Sequence, residues 1–175
     1  SKFLRETVQI NVVESPDTIR SLSKLPKFDV IVMWQVIEHL TDPWSLLSEA
    51  CSHLNPGGIL ILDTPNPNAF QFRVLGRFWT HIDAPRHVCL LSASGLIEHM
   101  RKNSMDPVLL SATNEGSIGF NGFGWAHTFK NLFRNDQLGT MAHLIGRVIA
   151  KLLIPFERTG WRGSTYTAVF RREDK

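Results

Sequence analysis

The sequence predicts an α/β fold, an open and largely parallel sheet with helices on both faces. Two apolar runs and the punctuated helix between them carry this reading. FDVIVMW (Phe28–Trp34) is apolar almost throughout, the pattern of a strand buried on both faces of a parallel sheet, and ILILD (Ile59–Asp63) repeats it. Between them Asp42 supplies an N-cap and Pro43 the first helical residue, where a missing N–H costs nothing. Leu46, Leu47, Ala50 and Leu54 give that helix one apolar face, and Asn55-Pro56-Gly57-Gly58 stops it. Strand, helix and strand at this spacing form one βαβ unit with a right-handed crossover. Both strands end in polar clusters, at residues 34–39 and 63–68. Ligands of open α/β sheets bind outside such carboxyl ends, so the chemistry is expected there.

The remaining elements follow in order. VQINVV (Val8–Val13), rich in β-branched residues and ended by ESPD, reads as a strand. The aromatic and basic stretch Phe70–Leu91 reads as a loop or short-helix insertion, and Ser92 caps a helix to Lys102 with Leu96, Ile97 and Met100 inward. Pro107–Thr113 is a strand. EGSIGFNGFGWAH (Glu115–His127) is rich in glycine but has neither phosphate-loop pattern, so a flexible loop is expected. Met141, Leu144, Ile145, Val148, Ile149, Leu152 and Leu153 make a helical stripe, expected to face the core. Its basic opposite face and the nearby Trp161-Arg162 also fit a helix lying on a membrane surface. Ser164–Glu173 alternates as a closing antiparallel strand. The reading gives a single domain over residues 1–175. A compact part gives way near residue 115 to a looser helical one, and 69–91 and 114–156 are expected to be substrate or lid insertions.

Composition narrows the functional classes. The chain of 175 residues is 43% hydrophobic and 20% charged, the balance of a globular domain large enough for a real core. Its net charge of +3 gives no reason to expect nucleic acid as a partner. Residues 1–100 hold 8 Lys/Arg against 10 Asp/Glu, whereas residues 101–175 hold 11 against 6. The second half is the place for an anionic substrate or acidic surface, with a solvated basic face as the simpler reading. Cys51 and Cys89 have no metal or disulfide spacing, and no apolar run reaches the ~18 residues of a membrane span. A cytoplasmic setting is the expectation.

The order of strand, ESPD, FDVIVMWQVIEHLTDP, helix and LNPGGILILDTPN resembles the second half of a class I S-adenosylmethionine-dependent methyltransferase. HIDAPRHVCLLSASGL is similar to a segment carried after the fifth strand by the ubiquinone-biosynthesis O-methyltransferase subgroup. The resemblance implies a partial Rossmann-like sheet holding the family's strands 3 to 7. In the family's order 3-2-1-4-5-7-6 strands 4, 5, 7 and 6 are neighbours, while strand 3 loses its partner and strand 4 becomes an edge. The acidic-x-Gly-x-Gly-x-Gly loop that would cradle the methionine moiety does not occur in the sequence. A fragment lacking roughly a hundred N-terminal residues is therefore expected, inactive alone, its first strand displaced or paired with another copy.

The same resemblance implies the site. S-adenosylmethionine would be met by Glu14 and Ser15 after the family's strand 3, and by Trp34 and Gln35 after strand 4. Simpler roles are a core aromatic for Trp34 and a helix-start carboxylate for Glu14. Methyl transfer needs alignment and a base. His39, His81, His87 and Asp83 are candidates, with His39 and His87 favoured by position. Some relatives present Glu-x-x-Glu-His and a later His to a divalent cation; here Gln35, Glu38, His39 and His87 correspond, unless Glu38 pairs with Arg86 instead. The acceptor is expected to be a small molecule or a glycan- or lipid-linked one. A nucleotide-cofactor oxidoreductase is disfavoured because Tyr166, the only tyrosine, has no Tyr-x-x-x-Lys context. A non-catalytic interaction domain is the alternative that the missing glycine loop fits.

Overall fold

A computed structural model of the chain describes residues 2–174. Four strands form one sheet: β1 (Phe28–Trp34), β2 (Leu54–Pro65), β3 (Met105–Ser111) and β4 (Thr165–Arg172). Their spatial order is β1-β2-β4-β3, with β1 parallel to β2 and β4 antiparallel to both its neighbours. This is the order expected for the family's strands 4, 5, 7 and 6. Short helices α1 (Lys2–Glu6) and α2 (Thr18–Leu22) precede β1, and α3 (Pro43–Ser52) crosses from β1 to β2. Next come α4 (Phe70–Leu75), α5 (Ala93–Lys102), and the long pair α6 (Glu115–Asn131) and α7 (Asp136–Glu157).

The helix starts operate as written, but α3 already ends at Ser52. Leu54 and Asn55-Pro56-Gly57-Gly58, read as its last face residue and its stop, belong to β2, where Leu54 pairs with Phe28. Asp42 Oδ1 accepts from the Ser45 N–H at 3.1 Å, and Ser92 Oγ accepts from the Gly95 N–H at 3.2 Å. On one sheet face Leu60, Leu62, Ala168 and Phe170 pack against Leu46 and Leu47 of α3 and Leu96 and Met100 of α5. Each such large side chain contributes about 1.5–3 kcal/mol by leaving water. Arg172 on β4 donates to the carbonyls of Cys51, Ser52 and Leu54 at 2.6–2.9 Å, tying a cation to the C-terminal end of α3.

The opposite face is covered only at its carboxyl end, where Ser117 of α6 meets Thr165. Val30 and Val32 on β1 stay 51% and 55% exposed, and Leu109 on β3 is exposed too. β1 is thus an edge strand with one bare face, not the doubly buried strand its composition suggests. Residues 8–13 form no strand; Val8, Ile10 and Val13 are exposed, and Arg5 bonds the Val12 carbonyl. Among the described residues that segment pairs with no strand, although Val13 lines a cleft beside Ile31 and Val32 of the edge strand β1.

Two further expectations are corrected in the second half. Residues 115–127, read as a flexible loop, are helical: Asn114 Oδ1 caps α6 by accepting from Ser117 N–H at 2.9 Å. Packing against α7 overrides the poor helix propensity of its glycines. The apolar stripe of α7 does not face the core. The residues it buries are chiefly small, Gly139, Ala142, Gly146 and Ala150, while Met141, Leu144, Ile145, Val148 and Leu152 stand out in solvent. At Gly146 a Cβ would lie 2.7 Å from the Trp125 carbonyl oxygen, so the two backbones touch where no larger residue fits. Gly146→Leu is expected to cost about 2 kcal/mol or more and to lower the thermal midpoint, read by circular dichroism.

A buried network staples α4, α6 and α7 together. Glu157 Oε1 accepts from Gln71 Nε2 at 3.1 Å and from Trp125 Nε1 at 3.0 Å, and Trp79 Nε1 donates to Gln71 Oε1 at 3.1 Å. Burial raises the Glu157 carboxyl above its ordinary 4.5. The folded chain therefore keeps a proton that the unfolded chain has released, and stability falls as pH rises from about 4.5 through the folded value. Glu157→Gln should flatten that slope, measured as thermal midpoint against pH from 4 to 8; an unchanged slope would show that Glu157 does not titrate in this range.

Candidate functional site

The carboxyl ends of β1 and β2 lie side by side because Trp34 pairs with Asp63 in the parallel register, and Asp63 pairs with Thr167 across β4. Gln35, immediately beyond β1, has a left-handed φ of 53°. Its backbone N–H bonds the Asp63 carbonyl at 2.9 Å, and its side-chain Nε2 donates to Asp63 Oδ1 at 2.6 Å. Thr167 Oγ1 donates to Asp63 Oδ2 at 2.6 Å and accepts from Asn114 Nδ2 at 2.6 Å. One buried carboxylate so joins β1, β2, β4 and the head of α6. Its acidity is weakened first by burial, against which the bonds from Thr167 and Gln35 work. Trp34 is half exposed on the same face and lies against Gly116. It is therefore not the core aromatic of the simpler reading.

A second cluster sits one turn further along. Ile37–His39 form a 3-10 turn that buries Glu38 completely. Thr64 Oγ1 donates to Glu38 Oε2 at 3.0 Å, while Glu38 Oε1 is buried without a hydrogen-bond partner. The strap 83–91 closes over this turn: Val88 N–H bonds the Glu38 carbonyl at 2.9 Å, and Tyr166 OH holds the Leu91 carbonyl at 3.0 Å. Burial first, and then the nearby Asp63 and Glu38, push the Tyr166 phenol well up, so it stays a neutral donor. His39 Nδ1 bonds the Arg86 carbonyl at 3.0 Å and His87 Nδ1 bonds the His81 carbonyl at 2.7 Å. Each Nδ1 thus carries the proton, and each Nε2 offers a lone pair. The rings stand 4.7 Å apart, and Glu38, His39 and His87 present ligand atoms within 4.8 Å of one another.

The fate of each expected residue follows. His39 and His87 are brought together with Glu38. Arg86 pairs with Asp83, not with Glu38. Gln35 turns to Asp63 and not to the His pair, so it does not complete a four-residue ligand set. His81 is buried and pushed down to about 4 by burial, which leaves it neutral. Ser15 lines a cleft of about 290 Å³ with Leu22, Val32 and Val36, while Glu14 is exposed and does not line it. Cys51 is pushed up to about 11 by burial, which makes it an inert core thiol. Asp63 and Thr167 carry the site's connectivity, and sequence reading did not single them out. The signal for Asp63 was its position as the first polar residue after ILIL.

The fold and this placement define a class: an α/β protein with a polar crevice at the carboxyl ends of adjacent parallel strands. A sequence model of the methyltransferase domain family matches residues 5–107, and the chain belongs to that family. It is 29% identical over 106 residues to the ubiquinone biosynthesis O-methyltransferase of Cereibacter sphaeroides, a match covering 57% of this chain and 41% of that protein. The protein of the same name from Parvibaculum lavamentivorans is 41% identical over 51 residues, 28% of this chain and 20% of its own. The chain thus spans less than half the length of these relatives. A SAM dependent methyltransferase from Archaeoglobus fulgidus shares the fold, with a TM-score of 0.60 at 19% identity over 95% of this chain and 70% of that one.

Replacing Asp63 by Ala leaves the side chains of Gln35 and Thr167 without their buried acceptor. The cost is expected to be about 2 kcal/mol or more in urea unfolding, with Thr167→Val alone costing less.

Proposed function

We propose that this chain is part of an enzyme that transfers a methyl group from S-adenosylmethionine to a small-molecule acceptor, or to a glycan- or lipid-linked one. The observation that supports this most is the pairing of the polar carboxyl ends of β1 and β2 with two histidines whose Nδ1 atoms are held by backbone carbonyls, which turns Nε2 to the site. Trp34 and Gln35 are assigned to the cofactor side, together with Ser15 and, more loosely, Glu14. In the reaction the acceptor atom attacks the methyl carbon in line, the carbon–sulfur bond breaks, and S-adenosylhomocysteine leaves. His87 or His39 takes the acceptor's proton at Nε2, since Nδ1 of each is engaged with a backbone carbonyl.

A second reading of the same atoms is favoured by the unpartnered, buried Glu38 Oε1. Glu38, His39 and His87 would hold a divalent cation, their imidazoles fixed by carbonyls as metal-bound histidines usually are. Two imidazoles and one carboxylate suit Mn²⁺ or Zn²⁺ better than Mg²⁺. The cation would lower the pKa of a coordinated acceptor hydroxyl, and the histidines would then be ligands and not bases.

Calorimetry separates these readings. A longer protein carrying the glycine-rich loop should bind S-adenosylhomocysteine, and this chain weakly or not at all; no binding by the longer protein would favour a non-catalytic domain. Mn²⁺ titration should show a site lost in Glu38→Ala if the cation reading holds. Activity that survives chelator but is lost in His87→Ala or His39→Ala would assign that histidine as the base.

A further inference from the structure

From the outward stripe of α7 we infer that the α6–α7 hairpin docks on an anionic lipid bilayer, with α7 lying flat in the interface. The inference concerns a partner and is independent of which acceptor is methylated. At 100° per residue Leu138, Met141, Ile145, Val148, Leu152 and Phe156 fall within an arc of about 80°. All six are 40–74% exposed. The buried sector of small residues lies to one side of this arc. Arg147 and Lys151 lie to the other, about 100–140° from its centre. The helix therefore has three sectors: one seated on α6, one apolar and bare, one basic.

Charge selects the occupant. From residue 115 to 162 the chain holds Lys130, Arg134, Arg147, Lys151, Arg158 and Arg162, against Glu115, Asp136 and Glu157. Glu157 is buried in the network described above, which leaves Glu115, at the far end of α6, and Asp136 as the exposed carboxylates of the hairpin. A second copy laid stripe to stripe would bring Arg147 and Lys151 of both chains to one seam with almost no acidic partner. An anionic membrane meets the apolar sector with acyl chains and the basic sector with phosphates. The turn at the head of α7 adds exposed Leu132 and Phe133 beside Arg134.

α7 is long and apolar enough to cross a bilayer by length and composition, at 22 residues. Arg147 and Lys151 stand near its midpoint, which would place two cations in the hydrocarbon centre if it crossed. Lying flat, their stems reach the headgroups while the stripe sinks in.

The test is vesicle co-sedimentation of the purified chain. Binding is expected to phosphatidylcholine vesicles containing 30% phosphatidylglycerol, and to be tenfold or more weaker to phosphatidylcholine alone. I145E/L152E should reduce binding about tenfold or more. R147E/K151E should remove the preference for the anionic lipid, about fivefold for each charge. V32E, on the bare face of the sheet, should change nothing. Far-UV circular dichroism of each variant establishes that it is folded. The inference is overturned by absence of binding, by equal binding to both lipids, or by loss of binding in V32E with none in I145E/L152E. A dimer in gel filtration that I145E/L152E dissolves, without vesicle binding, would assign the stripe to self-association instead.

Discussion

The carboxylate of Asp63 is the point through which the upper half of the molecule is connected. It sits at the carboxyl end of β2, is fully buried, and receives one hydrogen bond from each side of its strand: Gln35 from β1 and Thr167 from β4. Thr167 in turn accepts from Asn114, the residue that caps α6. The start of the helical hairpin, the left-handed turn after β1 and the last strand in the sequence are thereby fixed to one another. A buried polar group is costly unless satisfied, so its partners are held in place as firmly as it is. The sheet's apolar core determines that these strands pack, and Asp63 determines how their ends are aimed.

The histidine cluster depends on this frame at one remove. His39 and His87 come from a turn and a strap more than forty residues apart, and neither is held by side-chain packing alone. The strap is closed by Tyr166, whose neighbour Thr167 binds Asp63, and by backbone bonds from Val88 and Cys89 to the Glu38 carbonyl. Because both imidazoles give their Nδ1 to main-chain carbonyls, the direction of both Nε2 lone pairs is set by the course of the backbone. The site is thus built from chain geometry, with side chains of residues 34–39 and 83–91 as its surface.

What was legible in the sequence were features whose physics is local. Asp42-Pro43 and Ser92 mark helix starts because caps are settled within four residues, whereas Pro56-Gly57-Gly58, read as a helix stop, lies in β2. The strands β1 to β4 were visible from apolar runs and alternation, and the family resemblance supplied their order. The Glu38, His39 and His87 grouping came from a motif, and the three lie together because Thr64 of β2 holds Glu38 while the strap is bonded to the Glu38 carbonyl. What was not legible depended on partners. Val8–Val13 has a strand's composition but pairs with no strand. The glycines of Glu115–His127 suggested a loop, yet contact with α7 made a helix of them. The stripe of α7 was expected to face the core, because periodicity gives a face but not its direction. Gly139, Ala142, Gly146 and Ala150 were the residues that chose the direction, since only they let α7 come close to α6.

That close approach has a consequence for how the hairpin holds together. With a Cβ at Gly146 excluded by the Trp125 carbonyl, and one at Gly139 meeting the Lys130 carbonyl at 3.4 Å, the seam is made largely of backbone against backbone. Cohesion of this kind comes from dispersion and from shape, and owes little to the expulsion of water. A pair of helices joined by large interlocking leucines would loosen if its surroundings became as oily as its seam. This pair would not: its two rods can exchange one solvent for another on their outer side and keep the same spacing within.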